Sequence, residues 1–216
     1  MTHTEKLVSI GSEALGEAVA GPPKFLENYT LGSELFQMLK MKNGFYAFEQ
    51  ALHVFPMKSD ITNTMTLEDW NSDTLWRSGY GDLTNGFLFF AEDIFGDQFC
   101  ISTSRAGVFR FDAESGETTF MASSMEGWAD RILSNYAVET GWFLAHRWQA
   151  EQGALQLGTR LQPKIPFVYG GAYALENLWA GDATEGMLFK GEVALKVKDL
   201  PEGTKILLQV KGENNT

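Results

Sequence analysis

The sequence predicts an α+β fold, on three observations. From Gly86 to Met121 the apolar residues recur with a period of two, broken by turn residues, as an antiparallel meander requires. Before and after that block the apolar residues follow helical spacing. A second alternating stretch, Met187 to Val197, predicts a β-rich C-terminal extension.

Leu7, Ala14, Leu15 and Ala18 suit a helix within residues 4–20, weakened by Gly11 and Gly16 and ended by Gly21-Pro22-Pro23. Ser33 is placed to cap a short helix through Leu35, Phe36 and Leu39 that Asn43-Gly44 stops. The aromatic segment FYAFEQALHVFP follows, closed by Pro56. Thr66 and Asp69 have capping-box spacing ahead of Leu67, Trp70, Leu75 and Trp76. Phe87 to Phe90 are apolar on both faces, the mark of a central strand. Phe99 and Ile101, Val108 to Phe111, and Thr118 to Met121 supply the next strands, the last two joined by DAESGE. Ser123 and Glu126 match a capping box opening a long helix to about Gly153. Its stripe is Ile132, Leu133, Tyr136, Thr140, Phe143, Leu144 and Arg147, with Trp142, His146 and Trp148 off it. RLQPKIPFVYGGAYALENL reads as a turning connector. In the final stretch Lys190, Glu192, Lys196 and Lys198 fall on a wet strand face. DLPEG is a turn into a partner strand at Ile206, Leu208 and Val210. A boundary near 155 divides an α+β domain, 1–154, from the extension, 155–216.

The whole chain sets bounds on function. It has 216 residues, 44% hydrophobic and 13% aromatic. Such a chain buries roughly 70% of its unfolded surface without staples. The single cysteine, Cys100, permits no internal disulfide and suits a reducing compartment. No signal-peptide pattern opens the chain and no apolar run is long enough to cross a bilayer, so a cytoplasmic protein is expected. Twenty-eight acids against 17 bases give a net charge of −11. With no Lys/Arg cluster, that charge argues against nucleic acid and anionic membrane as direct partners. Solubility is the preferred reading of that charge, and a surface that attracts a basic protein is the sharper one.

The stretch FLFFAEDIFGDQFCIS poses the sharpest question. Glu92, Asp93 and Asp97 could form a metal or acid/base site, or the wet end of a hairpin. Ile94 and Phe95 stand where a calcium loop needs ligands, whereas Gly96 and Asp97 between apolar runs suit a chain reversal, which is the reading preferred. His3, His53 and His146 lack partners at metal-ligand spacing, and Cys100 reads as a strand core residue. No nucleophile elbow, phosphate loop or dinucleotide fingerprint occurs, and YGGAY reads as a turn. No catalytic residue, metal site or cofactor is therefore assigned. What remains is aromatic and acidic: Glu68, Asp69, Trp70, Asp73 and Trp76, with Trp179 and Asp182. Trp beside acids suits a binding surface, although the core is the preferred place for the tryptophans.

The order NGFYAFEQALHVFP, LEDWNSDTLWRSGY, GFLFFAEDIFGDQFCI and GVFRFDAESGE, leading to SSMEGWADRIL with Trp128, resembles the SUKH superfamily of the Smi/Knr type over about 25–135. The end of the chain resembles an extension seen on some bacterial members. The resemblance implies a mixed, strongly bent sheet with helices around it and a non-enzymatic role. Many such proteins are immunity proteins that occlude a cognate toxin; others are regulators or scaffolds without one. The partner expected here is a toxin with a basic active-site groove, met by Glu68, Asp69, Trp70, Asp73, Trp76, Glu92, Asp93 and Asp97. The rival class is an enzyme whose site assembles only in the fold, from Glu92, Asp93, Asp97, His53 and Cys100.

Overall fold

The computed structural model describes residues 1–201, 203 and 204. Its centre is a six-stranded sheet of β1 (Phe45–Ala47), β2 (Leu52–Val54), β3 (Phe87–Asp93), β4 (Gln98–Ser102), β5 (Val108–Phe111) and β6 (Thr118–Ala122). The strands lie in chain order and every described pairing is antiparallel, so the α+β expectation is met with no parallel pair of the mixed kind. The segment FYAFEQALHVFP supplies the two edgeward strands, β1 and β2, which had been given no element. β3 is buried through all seven residues, as its two-sided apolar run requires.

Helices cover both faces. Trp128, on α4 (Met125–Glu139), packs edge-on against Phe90 and Phe99, with ring centroids 5.0 and 5.6 Å away. On the other face Trp76 meets Tyr80 and Phe89 at 5.4 and 5.1 Å. Trp70, at the end of α3 (Leu67–Trp70), stacks on Phe55 at 4.8 Å. Thr66 caps α3 as its spacing predicts, its hydroxyl accepting from the Asp69 amide at 3.1 Å.

Three helix expectations are corrected. α1 (His3–Ile10) stops at Gly11, where a Cβ would lie 2.5 Å from the Phe45 ring. α2 (Gly32–Met41) begins before Ser33, with Leu31 in the cap position. The long helix is two: α4 ends at Glu139 and α5 (Trp142–Gln152) begins after Gly141, whose φ of 67° breaks the ladder. The capping hydroxyl of α4 belongs to Ser124, bonded to the Gly127 amide. Glu126 instead accepts from the His3 and Thr4 amides at 2.6 and 3.0 Å, tying α1 to α4.

The C-terminal segment departs furthest from expectation. Part of the connector forms a hairpin, β7 (Thr159–Pro163) with β8 (Leu178–Asp182). Residues 187–197, expected as a strand, lie in α6 (Ala183–Val197), capped by Asp182 on the Glu185 amide. Its buried residues, Ala183, Gly186, Met187, Lys190, Gly191, Val193 and Ala194, recur at helical spacing. Two glycines and a lysine among them hid the period, and Lys190 is buried where the strand reading made it wet. Met187 and Ala194 join the main core. The strand at 206–210 lies outside the described residues, as does part of the turn before it.

Candidate functional site

Adjacent strand residues point to opposite faces, so Glu92 and Asp93 part company at the end of β3. Glu92 sits in a row of cross-strand neighbours, Tyr46, His53, Glu92, Gln98 and Phe111. His53 stacks on Tyr46 at 4.3 Å, and its Nδ1 lies 3.0 Å from Glu92 Oε1. Gln98 donates to Glu92 Oε2 at 3.3 Å and accepts from the Trp70 indole at 2.8 Å. Arg160, from β7, closes the row, with Nη2 2.8 Å from Glu92 Oε1. Burial alone would raise the Glu92 carboxyl; Arg160, His53 and Gln98 outweigh it and hold the group below its usual range. Burial also pushes His53 down to about 4, against the pull of Glu92, so the ring is neutral at pH 7.

Asp93 faces the other way. Its Oδ1 accepts from the Phe95 and Asp97 amides at 2.8 and 3.0 Å, and its Oδ2 is bound by Arg110 Nη2. Arg110 also reaches Asp97 Oδ2 at 3.0 Å and the Glu139 carbonyl at 3.0 Å. Burial pushes the Asp93 carboxyl up. Between these residues Gly96, at φ 86°, reverses the chain. A third cation completes the arrangement: Lys190 of α6 donates to the Phe95 carbonyl and, at 2.7 Å, to Gln162 Oε1.

The hairpin reading of this stretch therefore holds for its backbone and fails for its acids. Glu92 and Asp93 are buried, not wet, and they seat the C-terminal segment and α4 through paired cations. Trp70 and Trp76 are buried as well. Those four residues, expected on a partner-binding surface, lie inside the fold. Asp97 is largely occupied by Arg110 and the Ala113 amide. Glu68, Asp69 and Asp73 are exposed, Asp73 beside Arg77 at 3.6 Å.

Of the residues grouped for a fold-assembled enzyme, His53 and Glu92 meet on one face of the sheet, Asp93 and Asp97 meet at Arg110 on the other, and Cys100 joins neither pair. Cys100 pairs with Phe89 and Phe109 in the core, where burial pushes its thiol well up. His53 lines a cleft of about 620 Å³, and its buried Nε2 has no hydrogen-bond partner, nucleophile or other, among the described residues. No group of three His, Cys, Asp or Glu there is placed to hold a metal ion, again among the described residues.

The feature that sequence reading missed is a second cleft, of about 670 Å³, between the hairpin and the C-terminal segment. Its floor carries Asp97, Arg110, Asp112, Glu114 and Lys190. Its wall is aromatic: Phe167 and Tyr173 stack at 3.9 Å and 4°, with Phe95 edge-on at 5.3 and 5.8 Å. Val138, Phe143, Val168 and Tyr173 stand exposed at its mouth. Burial, above all, pushes the Glu114 carboxyl up to about 7 and raises Asp112, with Asp97 adding to the latter. Only DAESGE, read as a turn, signalled the acids in sequence.

The chain thus presents an antiparallel α+β scaffold with a buried ion-paired hairpin and an acidic, aromatic-walled cleft. The SMI1 / KNR4 family (SUKH-1) model matches residues 24–131, half of the chain, and the protein belongs to that family. No curated protein matches. Among solved structures, the crystal structure of Atu4351 from Agrobacterium tumefaciens is similar in fold, with a TM-score of 0.57 at 14% identity over 87% of this chain and 88% of that one. The shared fold thus extends well beyond the family match. No helix among the described residues is long and apolar enough to cross a membrane.

Proposed function

We propose that this protein is a non-enzymatic protein-binding module of the immunity type, which neutralises a cognate toxin by covering its basic active-site groove. Membership of a family known for immunity proteins and related modules supports this class. The observation that carries the reading is the acidic cleft with an exposed apolar mouth, in a chain of net charge −11. Complementary charge speeds encounter with a basic partner, and buried aromatics slow its release. Glu68, Asp69 and Asp73 add to the same acidic field from the α3 stretch.

Co-expression with the product of the neighbouring gene tests this. Restored growth and a co-purifying complex support the reading. A toxic neighbour that the protein neither binds nor silences counts against it, and a non-toxic neighbour favours a scaffold of the same family.

A further inference from the structure

Glu114 is 95% buried, with a relative exposure of 5%, yet only one of its carboxylate oxygens is engaged. Oε2 accepts from the Val168 amide at 2.8 Å; Oε1 has no hydrogen-bond partner among the described residues. An unpaired buried acceptor of this kind is unfavourable, so a donor arriving from outside is favoured. The cations nearby are already engaged. Arg110 is held by Asp93, Asp97 and Glu139, and Lys190 by the Phe95 carbonyl and Gln162. Asp112 directs Oδ1 to the Glu114 and Ser115 amides. Three carboxylates thus face two cations across the floor, an excess that repels anions and attracts a positive group.

We propose that this cleft is a socket for a lysine or arginine side chain on a protein segment, with its charged head at Glu114 Oε1 and its stem along the Phe167–Tyr173 stack. The aromatic wall suits the aliphatic stem and the cation alike. The exposed Val138, Phe143 and Val168 at the mouth receive the apolar residues beside it. A volume of about 670 Å³ holds one such side chain with part of its neighbours. The inference deepens the protein-binding reading and rests on it for the source of the segment.

The test is titration of the full-length protein with acetyl-Leu-Lys-Phe-amide and its norleucine analogue, followed by amide NMR shifts. The lysine peptide is expected to move Glu114, Gly141 and Val168 saturably, and to bind about tenfold more tightly than the norleucine peptide. Glu114→Gln and Val138→Lys, the latter at a rim position 71% exposed, each weaken it by about fivefold or more. Equal binding of the two peptides, shifts confined to another face, or indifference to both variants overturns the socket. A lysine peptide that fails to bind while a toxin complex still forms overturns the socket alone. Peptide binding with no toxin captured overturns the immunity reading and leaves the socket standing.

Discussion

Arg160 Nη2 lies 2.8 Å from Glu92 Oε1, with the two side chains 1% and 2% exposed. The contact joins β7 to β3 across 68 residues of sequence, and it explains how Glu92 can be the penultimate residue of a fully buried strand. Removing one partner of such a pair leaves an unmatched charge in the core. Arg160→Met is therefore expected to destabilise the protein by about 3–5 kcal/mol, and Arg160→Met with Glu92→Leu to recover much of that loss. Urea denaturation of the four members of the cycle measures it; additive losses would show that the two residues act independently.

His53 sets the acid side of the stability profile. Its folded pKa of about 4 lies below the unfolded value of 6.5, so the unfolded chain takes up the proton first. Stability is fully present above pH 6.5 and falls as pH drops toward 4, by on the order of 3 kcal/mol. Glu92, held below its usual range, acts in the same direction at still lower pH. His53→Gln should flatten the urea midpoint between pH 6.5 and 4.5, and an unchanged slope would count against the buried neutral imidazole.

Glu114 has the opposite sign. Its folded pKa of about 7 lies above the unfolded 4.5, so the folded state holds the proton more tightly. Stability is lost as pH rises from 4.5 to 7. Glu114→Gln is expected to stabilise the protein at pH 8 by on the order of 3 kcal/mol and to change little at pH 4. Equal midpoints for variant and parent at pH 8 would contradict it. With the loss of peptide affinity expected of the same variant, this is the signature of a group kept for binding at the expense of stability.

Gly141 carries the break between α4 and α5. Its φ is 67°, and a Cβ there would come within 2.4 Å of Phe95 Cε2 and 2.7 Å of Ile94 Cγ2. Gly141→Ala should cost at least about 2 kcal/mol, from the left-handed backbone and the displaced ring together. Because Phe95 lines the cleft, the variant should also weaken peptide binding; thermal melts and titration read the two effects separately.

The meander was legible because Phe87–Phe90 form a short run apolar on both faces, Phe99 and Ile101 share one face of the next strand, and Gly96 punctuates them. The capping of α3 was legible from Thr66 and Asp69. α6 was not, because Gly186, Lys190 and Gly191 occupy its buried face and erase the hydrophobic stripe that identifies a helix. The fate of Glu92 and Asp93 was equally hidden. Their cations, Arg160 and Arg110, come from other strands, and no local spacing announces such pairs. The left-handed Phe48, Glu49 and Gln50, with φ from 52° to 68°, carry no glycine to mark them. Glu49 is held there by His146 and Gln149 of α5, a contact that only the fold creates. The cleft follows the same rule: its floor joins acids of the meander to Lys190 of α6, and its wall joins Phe95 to Phe167 and Tyr173 of the C-terminal segment.

Isothermal titration calorimetry of the full-length protein against the product of the neighbouring gene is the most direct measurement of the central claim, that this molecule works by gripping a basic protein through its acidic, aromatic-walled cleft. The expected result is a saturable complex that weakens with salt and loses about tenfold or more in affinity with Tyr173→Ala. No binding heat, or an affinity unmoved by salt and by Tyr173→Ala alike, would contradict it.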